Sequence, residues 1–455
     1  MTARGGARGV RRGRTALALA CTAAALVALS GGCSRADGAH STRAVAATSR
    51  DRTTNAASST IAALPAPRKN PAMALAHTAA SAASSTAPAP LDDARVALGR
   101  RIFFDASLSE PPGTSCASCH DPARGYAGNH GSASGVALGS RPGHLTRRST
   151  PSVLYLRFVR RFHVKWDDED GGPPEAFGGF FWDGRASTLH EVAPQPLLNR
   201  DEMNNADRAA IAGKLARAPY ADALRREFDD VFASADKAVE ALGLCIEAFL
   251  TSPAMSPFSS KYDDVVRGHD TLTALEARGL AAFRDFERGG CAGCHKLDPS
   301  APLPEASLFT DFGYEVVAIP RNRRIPANAD PRHFDLGVCE RRDPRQHTED
   351  PWFCGSFRTP SLRNVATRQS FMHNGAFTSL REVVRFYATR ATDPERWYPN
   401  GTYDDLPAKY RANVNVSVPP YNRPRGEAPA LADDDVDAIV AFLETLTDRQ
   451  VPGAP

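Results

Sequence analysis

The residues with the clearest chemistry are two copies of Cys-x-x-Cys-His, at positions 116–120 and 291–295. Two thiols at this spacing can form thioether bonds with the vinyl groups of one haem, and the adjacent histidine can then bind its iron. A zinc ribbon would need its cysteine pairs about 15–20 residues apart, and a thiol-redox pair explains neither the histidine nor the duplication. The motifs therefore predict two covalently bound haem c groups, held by Cys116, Cys119, His120, Cys291, Cys294 and His295.

The N-terminal region is typical of an exported protein. Five arginines precede a short apolar stretch at 15–29, which is too short to span a bilayer comfortably as a helix. We therefore expect a signal peptide over 1–33. The segment ends in Leu-Ser-Gly-Gly-Cys33, a relaxed lipoprotein signal, so lipidation of Cys33 and simple cleavage nearby both stay open. Because haem c is attached outside the cytoplasm, the expected location is the periplasm.

The composition changes after this segment. Residues 34–90 are rich in Ala, Ser, Thr and Pro and almost free of large apolar side chains, which predicts a disordered linker. Residues 1–90 hold eleven Lys and Arg but only two Asp and Glu, which leaves 44 basic and 50 acidic residues for the remainder. This acidic remainder argues against binding to nucleic acid and favours a small, basic electron-transfer protein as the partner.

Helical periodicity dominates the remainder of the chain. One helix carries Leu98 and Ile102 and ends before the first haem motif. Thr271 is the predicted N-cap of a second helix, which carries Phe283 and Phe286 towards the second motif. Further helices are predicted at 239–250 and 433–446.

Each haem motif thus follows an amphipathic helix, as expected for two copies of one cytochrome c-like unit. Strand patterns are few, and loops rich in Pro, Gly and Arg are predicted at 121–151 and 296–358. The predicted fold is mostly α, with two cytochrome c-like haem domains packed together after the disordered linker. The domains are expected at 91–255 and 256–455.

The cysteines outside the haem motifs predict one disulfide. Cys339 and Cys354 lie in one loop of an exported chain, which favours a disulfide over two buried thiols. Cys245 lies beside an apolar helical stripe and is expected to be a buried free thiol.

Further short motifs flank the two haem motifs. Around the first motif stand Leu-Gly-Arg-Arg-Ile-Phe-Phe-Asp at 98–105, Phe-Trp-Asp-Gly-Arg at 181–185 and Asp-Glu-Met-Asn-Asn at 201–205. The second motif is followed by Phe-Arg-Thr-Pro-Ser-Leu-Arg-Asn at 357–364 and Phe-Met-His-Asn-Gly at 371–375. In this order and spacing, the chain resembles the bacterial di-haem cytochrome c peroxidases and their MauG-like branch. The resemblance covers nearly all of the predicted folded part.

The resemblance implies roles for four residues. His120 would be the proximal ligand of a peroxide-reacting iron, and His295 would bind the iron of an electron-transfer haem. Glu202 stands twenty residues after Trp182, where the family carries the acid/base glutamate that moves a proton between the peroxide oxygens. Trp182 matches the tryptophan that relays electrons between the haems. Without the flanking motifs, Glu202 would be a solvated acid and Trp182 a core aromatic.

The sixth ligand of the second haem separates the two branches of the family. Fourteen residues after His373, the peroxidases carry methionine and MauG carries tyrosine, and this chain has Tyr387 there. Met372 is the rival ligand, and tyrosine on a helix often serves only packing. The resemblance favours Tyr387. A phenolate stabilises oxidised iron, whereas a thioether stabilises the ferrous state.

Three departures from the family pattern bear on function. The loop histidine that closes the first haem in many peroxidases is Arg141 here, which predicts a first haem that is open without prior reduction. A glutamine of the MauG branch is Val192 here, which weakens the match to its substrate chemistry. The family's calcium would be bound by Ser149, in place of an asparagine, and by the carbonyls of Arg368 and Ser370. Calcium is therefore a weakened expectation.

These features predict a peroxidase that reduces hydrogen peroxide to water through a high-valent state shared between two haems. Its electrons would come from a small c-type cytochrome or copper protein in the periplasm. Two alternatives stay open. A MauG-like enzyme would oxidise Tyr or Trp side chains of a partner protein, and a di-haem electron carrier would lack peroxide chemistry. Glu202 beside an open iron position argues against the carrier.

Overall fold

The computed structural model describes residues 93–166, 173–341, 346, 348–399 and 401–453. The predicted signal peptide, Cys33 and the linker lie outside the described residues. Within these ranges, none of the helices is both long and apolar enough to cross a membrane.

Helices are the main regular structure among the described residues, as predicted. The first half contains α1 (Asp93–Phe103), α2 (Cys116–Cys119), α3 (Leu189–Val192), α4 (Pro194–Leu198), α5 (Arg208–Arg217), α6 (Ala221–Glu227) and α7 (Ala235–Thr251). The second half contains α8 (Lys261–Val266), α9 (Ala274–Arg284), α10 (Leu380–Thr389) and α11 (Asp433–Glu444). Strands are short, with β1 (His163–Lys165) antiparallel to β2 (Glu175–Phe177), and β3 (Tyr314–Glu315) antiparallel to β4 (Phe357–Arg358).

The helix before the first haem motif crosses α7 in close contact. A Cβ atom on Gly99 of α1 would lie 1.9 Å from the carbonyl oxygen of Cys245, so only glycine allows the two backbones to approach this closely. One turn later, Phe103 packs edge-on against Phe249, with ring centres 5.5 Å apart. The ring of Phe103 is also 6.3 Å from that of His120. The crossing of α1 and α7 therefore positions the first haem histidine.

The same arrangement occurs before the second haem motif. A Cβ atom on Gly279 of α9 would lie 1.9 Å from the carbonyl oxygen of Ala438 in α11. Phe283 packs against Phe442 at 5.4 Å between ring centres, and lies 6.5 Å from the ring of His295. Glycine, phenylalanine and histidine thus recur in equivalent contacts, which supports the prediction of two copies of one unit.

Buried apolar side chains form two large clusters. The buried members of one come from 98–258 and those of the other from 262–446. Each cluster contains one of the two helix pairs. The domain boundary near residue 255 stays a prediction, and it lies close to the division between the clusters.

A fully buried ion pair connects the two clusters. Arg363 donates to both carboxylate oxygens of Asp263, at 3.0 and 3.1 Å, and both side chains are fully buried. The guanidinium also lies over the rings of Tyr155 and Phe258, at 5.0 and 4.5 Å. Because these two rings belong to the first cluster, Arg363 ties the two halves together.

The start of α9 differs from the prediction. The N-cap is Thr273 rather than Thr271: the Thr273 hydroxyl accepts from the amide of Glu276 at 3.3 Å, and the Glu276 carboxylate accepts from the amide of Thr273 at 2.7 Å. This reciprocal capping box satisfies two amides at once, which a cap at Thr271 would not do. Phe286 lies beyond the end of α9 and is 60% exposed, so it is not part of the core.

The remaining cysteines within the described residues are arranged as predicted. Cys339 and Cys354 form a disulfide that closes a loop of 15 residues. Cys245 in α7 is a fully buried free thiol. Both predictions are confirmed.

We predict that the double variant Cys339→Ser/Cys354→Ser loses about 3 kcal/mol of unfolding free energy, the chain-entropy value for a loop of this length. Denaturant unfolding of the native protein and the variant, with and without a reductant, measures this difference. The reductant should destabilise only the native protein. Equal stability of the two proteins would contradict the prediction.

Candidate functional site

The first haem motif forms α2 and presents His120 at its end. The Nδ1 atom of His120 donates to the carbonyl of Tyr126 at 3.2 Å, which leaves Nε2 available for iron. Burial lowers the pKa of His120 to about 4, so the imidazole is neutral near neutral pH, the form that binds metals. Cys116 and Cys119 form no disulfide, and burial raises the pKa of each to about 12. Both are therefore free thiols.

The second haem motif lines a cavity of about 650 Å³. The Nδ1 atom of His295 donates to the carbonyl of Phe309 at 2.9 Å, and burial lowers the pKa of His295 to about 4. Cys291 and Cys294 line the same cavity and form no disulfide. A largely apolar cavity with two free thiols and one neutral imidazole has the donors and the volume that a covalently held haem needs.

Both candidate sixth ligands of the second haem, Tyr387 and Met372, line this cavity. Burial raises the pKa of Tyr387, and the thiols of Cys294 and Cys291 raise it further. The Tyr387 hydroxyl therefore lies close to the second haem motif. Its role as the iron ligand stays a prediction.

Tyr421 is a residue of this site that the sequence analysis missed. It lines the same cavity, with its ring centre 5.8 Å from that of Tyr387, and a hydrogen bond from Tyr421 lowers the pKa of Tyr387. The guanidinium of Arg390 lies 3.9 Å from the centre of the Tyr421 ring. Tyr421 follows two prolines in an irregular loop, so no periodicity or motif in the sequence pointed to it.

Glu202 lies in the turn after α4, close to the first haem motif. Its charge raises the pKa of both Cys116 and Cys119, which places the carboxylate near the two thiols. The side chain accepts from Nδ2 of Asn199 at 2.7 Å. Burial is the main influence on the Glu202 carboxyl and raises its pKa. A carboxyl with a raised pKa beside a haem motif is suited to accept and return a proton.

Arg141 contacts the turn that contains Glu202. Its side chain has no atom that could bind the iron of the first haem in place of the family's loop histidine. Its guanidinium donates to the carbonyl of Arg200 at 2.8 and 3.2 Å, and lies 3.8 Å from the carboxylate of Asp201. His144, the nearby histidine, bonds to Asp201 at 2.9 Å through Nδ1. An open first haem stays a prediction, and these contacts are consistent with it.

Trp182 lies on the wall of the second haem cavity and is almost fully buried. Its indole Nε1 donates to the carbonyl of Ser149 at 2.8 Å, and its own carbonyl accepts from the amide of Arg358 at 2.9 Å. Ser149 belongs to the segment that follows the first haem motif. Trp182 is thus fixed between chain segments associated with the two motifs.

The residues expected to bind calcium do not fit that ion. The guanidinium of Arg368 donates to the carbonyl of Ser370 at 3.2 Å and to that of Thr150 at 3.1 Å. The hydroxyl of Ser149 donates to the carbonyl of Met372 at 2.6 Å. Calcium needs six to eight oxygen ligands, and the carbonyl of Ser370 and the hydroxyl of Ser149 already have other partners. In the described part of the chain, no group of three or more His, Cys, Asp or Glu side chains could hold a metal ion.

Comparison with known proteins agrees with this geometry. Residues 93–271 match the family model for di-haem cytochrome c peroxidases. Methylamine utilization protein MauG of Paracoccus denitrificans is 36% identical over 377 residues, which is 79% of this chain and 90% of that protein. Cytochrome c551 peroxidase of Pseudomonas aeruginosa is 27% identical over 366 residues, 79% of this chain and 81% of that protein.

A solved structure shows the same likeness. The diheme peroxidase BthA from Burkholderia thailandensis is 49% identical, with a TM-score of 0.75, over 80% of this chain and 89% of BthA. Membership of this group implies two haem c cofactors and oxidoreductase chemistry. From its two haem motifs, its fold and these similarities, the chain belongs to the di-haem cytochrome c peroxidase and MauG family.

Proposed function

We propose that the protein reduces hydrogen peroxide to water with electrons from a small periplasmic donor, a c-type cytochrome or a copper protein. The observation that carries this proposal is the placement of Glu202, a carboxyl whose pKa is raised by burial, beside the first haem motif. An electron carrier has no need of such a group. Reduction of one peroxide takes up two electrons and two protons and releases two water molecules.

His120 and Glu202 would have separate roles at the first haem. Haem c, when bound, supplies the iron at which the oxygen–oxygen bond is cleaved and the means to store oxidising equivalents. His120, held by Tyr126, presents a neutral Nε2 to that iron. Glu202 takes a proton from one peroxide oxygen and returns it to the other, which becomes the leaving water.

Trp182 would pass electrons between the two haem sites. It lines the second cavity, and its indole is fixed to Ser149 in the segment after the first motif. A buried, rigidly held indole keeps its geometry when an electron is exchanged, so little reorganisation is needed. The electrons would enter from the donor through the second haem site, held by His295 and Tyr387.

A second candidate function is oxidation of Tyr or Trp side chains in a partner protein. The relation to MauG at 36% identity and the placement of Tyr387 at the second haem motif favour it. In this reaction the partner's side chains, rather than a cytochrome, supply the two electrons for peroxide. Val192 packs against the first apolar cluster in place of MauG's glutamine, so the substrate contact would differ.

The location proposed is the periplasm, because haem c is attached outside the cytoplasm and the N-terminal residues resemble a signal peptide. Anchoring through a lipid on Cys33 stays a proposal of its own. Labelling of growing cells with a radioactive fatty acid, followed by purification of the protein, would detect such an anchor.

The experiment that separates the two functions mixes the oxidised holoprotein with hydrogen peroxide, with and without reduced cytochrome c. We expect prompt oxidation of the cytochrome over many turnovers without prior reduction of the enzyme. If the haems instead keep a long-lived, highly oxidised spectrum and oxidise the cytochrome only slowly, the result would favour a protein substrate. Absence of any reaction with peroxide would leave only the electron carrier and contradict the proposal.

A further inference from the structure

Arg368 places a partly buried positive charge between the two haem sites. Its side chain lines the second haem cavity and also a small cavity of about 40 Å³ beside Pro151 and Gly125. Its guanidinium also donates to the carbonyl of Thr150, in the segment that follows the first haem motif. Among the described residues, the polar contacts shown for this guanidinium are the carbonyls of Ser370 and Thr150.

The environment of Arg368 is unusual for an arginine. Among the described residues, the polar partners shown for its guanidinium are backbone carbonyls rather than a carboxylate. Arg148, another partly buried arginine, is paired by contrast with Asp335 at 2.7 Å and with Asp183 at 2.6 Å. A guanidinium bonded only to carbonyl oxygens occupies the kind of position that a metal cation would otherwise take, because carbonyls are ligands for both.

The bonds of Arg368 lead directly to Trp182. Arg368 holds the carbonyl of Thr150, and the preceding residue, Ser149, accepts the indole N–H of Trp182 at 2.8 Å. Ser149 is itself fixed to the segment after Arg368, because its amide donates to the carbonyl of His373 at 2.7 Å. The guanidinium therefore cross-links the two backbone segments that a calcium ion at this position would have joined.

We propose that the Arg368 guanidinium replaces the calcium ion as the fixed cation between the haem sites, so that this protein binds no calcium there. Arg368 is a positioning residue: it acts on Trp182 through Thr150 and Ser149. A calcium ion bound to the carbonyl of Ser370 would be repelled by the guanidinium that already donates to this carbonyl. This inference is independent of whether a cytochrome or a protein side chain supplies the electrons.

The first test measures metal in the native holoprotein. The protein is incubated with calcium chloride, separated from free ion by gel filtration and analysed for calcium, and its thermal unfolding is followed with and without EGTA. We expect no bound calcium and an unchanged melting temperature. One calcium per chain, lost with EGTA together with a fall in the melting temperature, would overturn the proposal.

The second test creates the missing metal site. In the double variant Arg368→Thr/Ser149→Asn, the carbonyl of Ser370 is freed and an amide oxygen is added, so we expect binding of calcium and a melting temperature that falls with EGTA. Arg323→Thr, which removes an exposed arginine, is the matched control and should bind none. If the double variant does not fold, calcium analysis of the native protein still decides the proposal.

The third test separates the charge of Arg368 from its shape. Removing a partly buried cation near iron stabilises the ferric state, so Arg368→Met is expected to shift a haem reduction potential downwards. Arg368→Lys keeps the positive charge and should leave most of the native potential unchanged. Redox titration of the haem absorbance measures both variants. Equal potentials in the native protein and Arg368→Met would show that the guanidinium does not act as the fixed cation.

Discussion

Replacing Glu202 with glutamine is expected to lower peroxide turnover by about 10²–10⁴-fold, the usual contribution of a positioned acid/base group. Glutamine keeps the shape of the side chain but cannot take up the proton that leaves the peroxide. Both haems should stay bound, because their attachment depends on the cysteines and histidines of the two motifs. Steady-state oxidation of cytochrome c and the haem absorbance of the variant test the two expectations.

Glu110→Gln is the matched control for this variant. Glu110 lies near the Glu202 turn, because its carbonyl accepts from the hydroxyl of Ser140, whose amide donates to the carbonyl of Glu202. Its own carboxylate is more than half exposed and contacts Lys214. We expect unchanged turnover in this control. Native-like turnover in Glu202→Gln would remove Glu202 from the mechanism.

The pH dependence of turnover gives an independent view of Glu202. The ionised carboxylate is the form that accepts the first proton, so turnover should fall as the pH decreases through its pKa. An ordinary glutamate has a pKa of about 4.3. Because burial raises the pKa of Glu202, turnover should begin to fall at a higher pH than it would with an ordinary glutamate. The acid limb should be absent from the residual turnover of Glu202→Gln.

Replacing Tyr387 with methionine is expected to raise the reduction potential of the second haem by on the order of 0.1 V or more, within the span of about 0.8 V that axial ligands cover. A thioether stabilises ferrous iron, whereas a phenolate stabilises ferric iron. The ferric spectrum should change at the same time, and the variant should require a reducing electron before it reacts with peroxide. Redox titration followed by absorbance measures the shift.

Tyr398→Phe is the control for Tyr387→Met. Tyr398 is another buried tyrosine of the second half, and its hydroxyl donates to the carbonyl of Ala318 at 2.5 Å. Removing that hydroxyl should leave both potentials unchanged. Unaltered potentials in Tyr387→Met would exclude Tyr387 as the ligand, and Met372→Leu would then be the variant to measure.

The features that the sequence determined are those encoded within a few neighbouring residues. The Cys-x-x-Cys-His motifs predicted the haem attachment sites because covalent chemistry requires that spacing. The buried stripe of α7 and the acidic start of α11 were predicted correctly because helical periodicity is a local property. The Cys339–Cys354 disulfide followed from one short loop. Even for such a local feature the sequence offered two candidates, and Thr273 rather than Thr271 caps α9.

The features that only the tertiary structure decided depend on residues far apart in the chain. Tyr421 reaches Tyr387 from an irregular loop, and Gly99 and Gly279 are required because distant helices approach their backbones. For Arg368, the sequence suggested a backbone carbonyl that binds calcium, whereas the fold turns its guanidinium onto the carbonyls of Ser370 and Thr150. A residue's type gives its chemistry, but the direction of a long side chain is settled only when the packed neighbours exclude the alternatives.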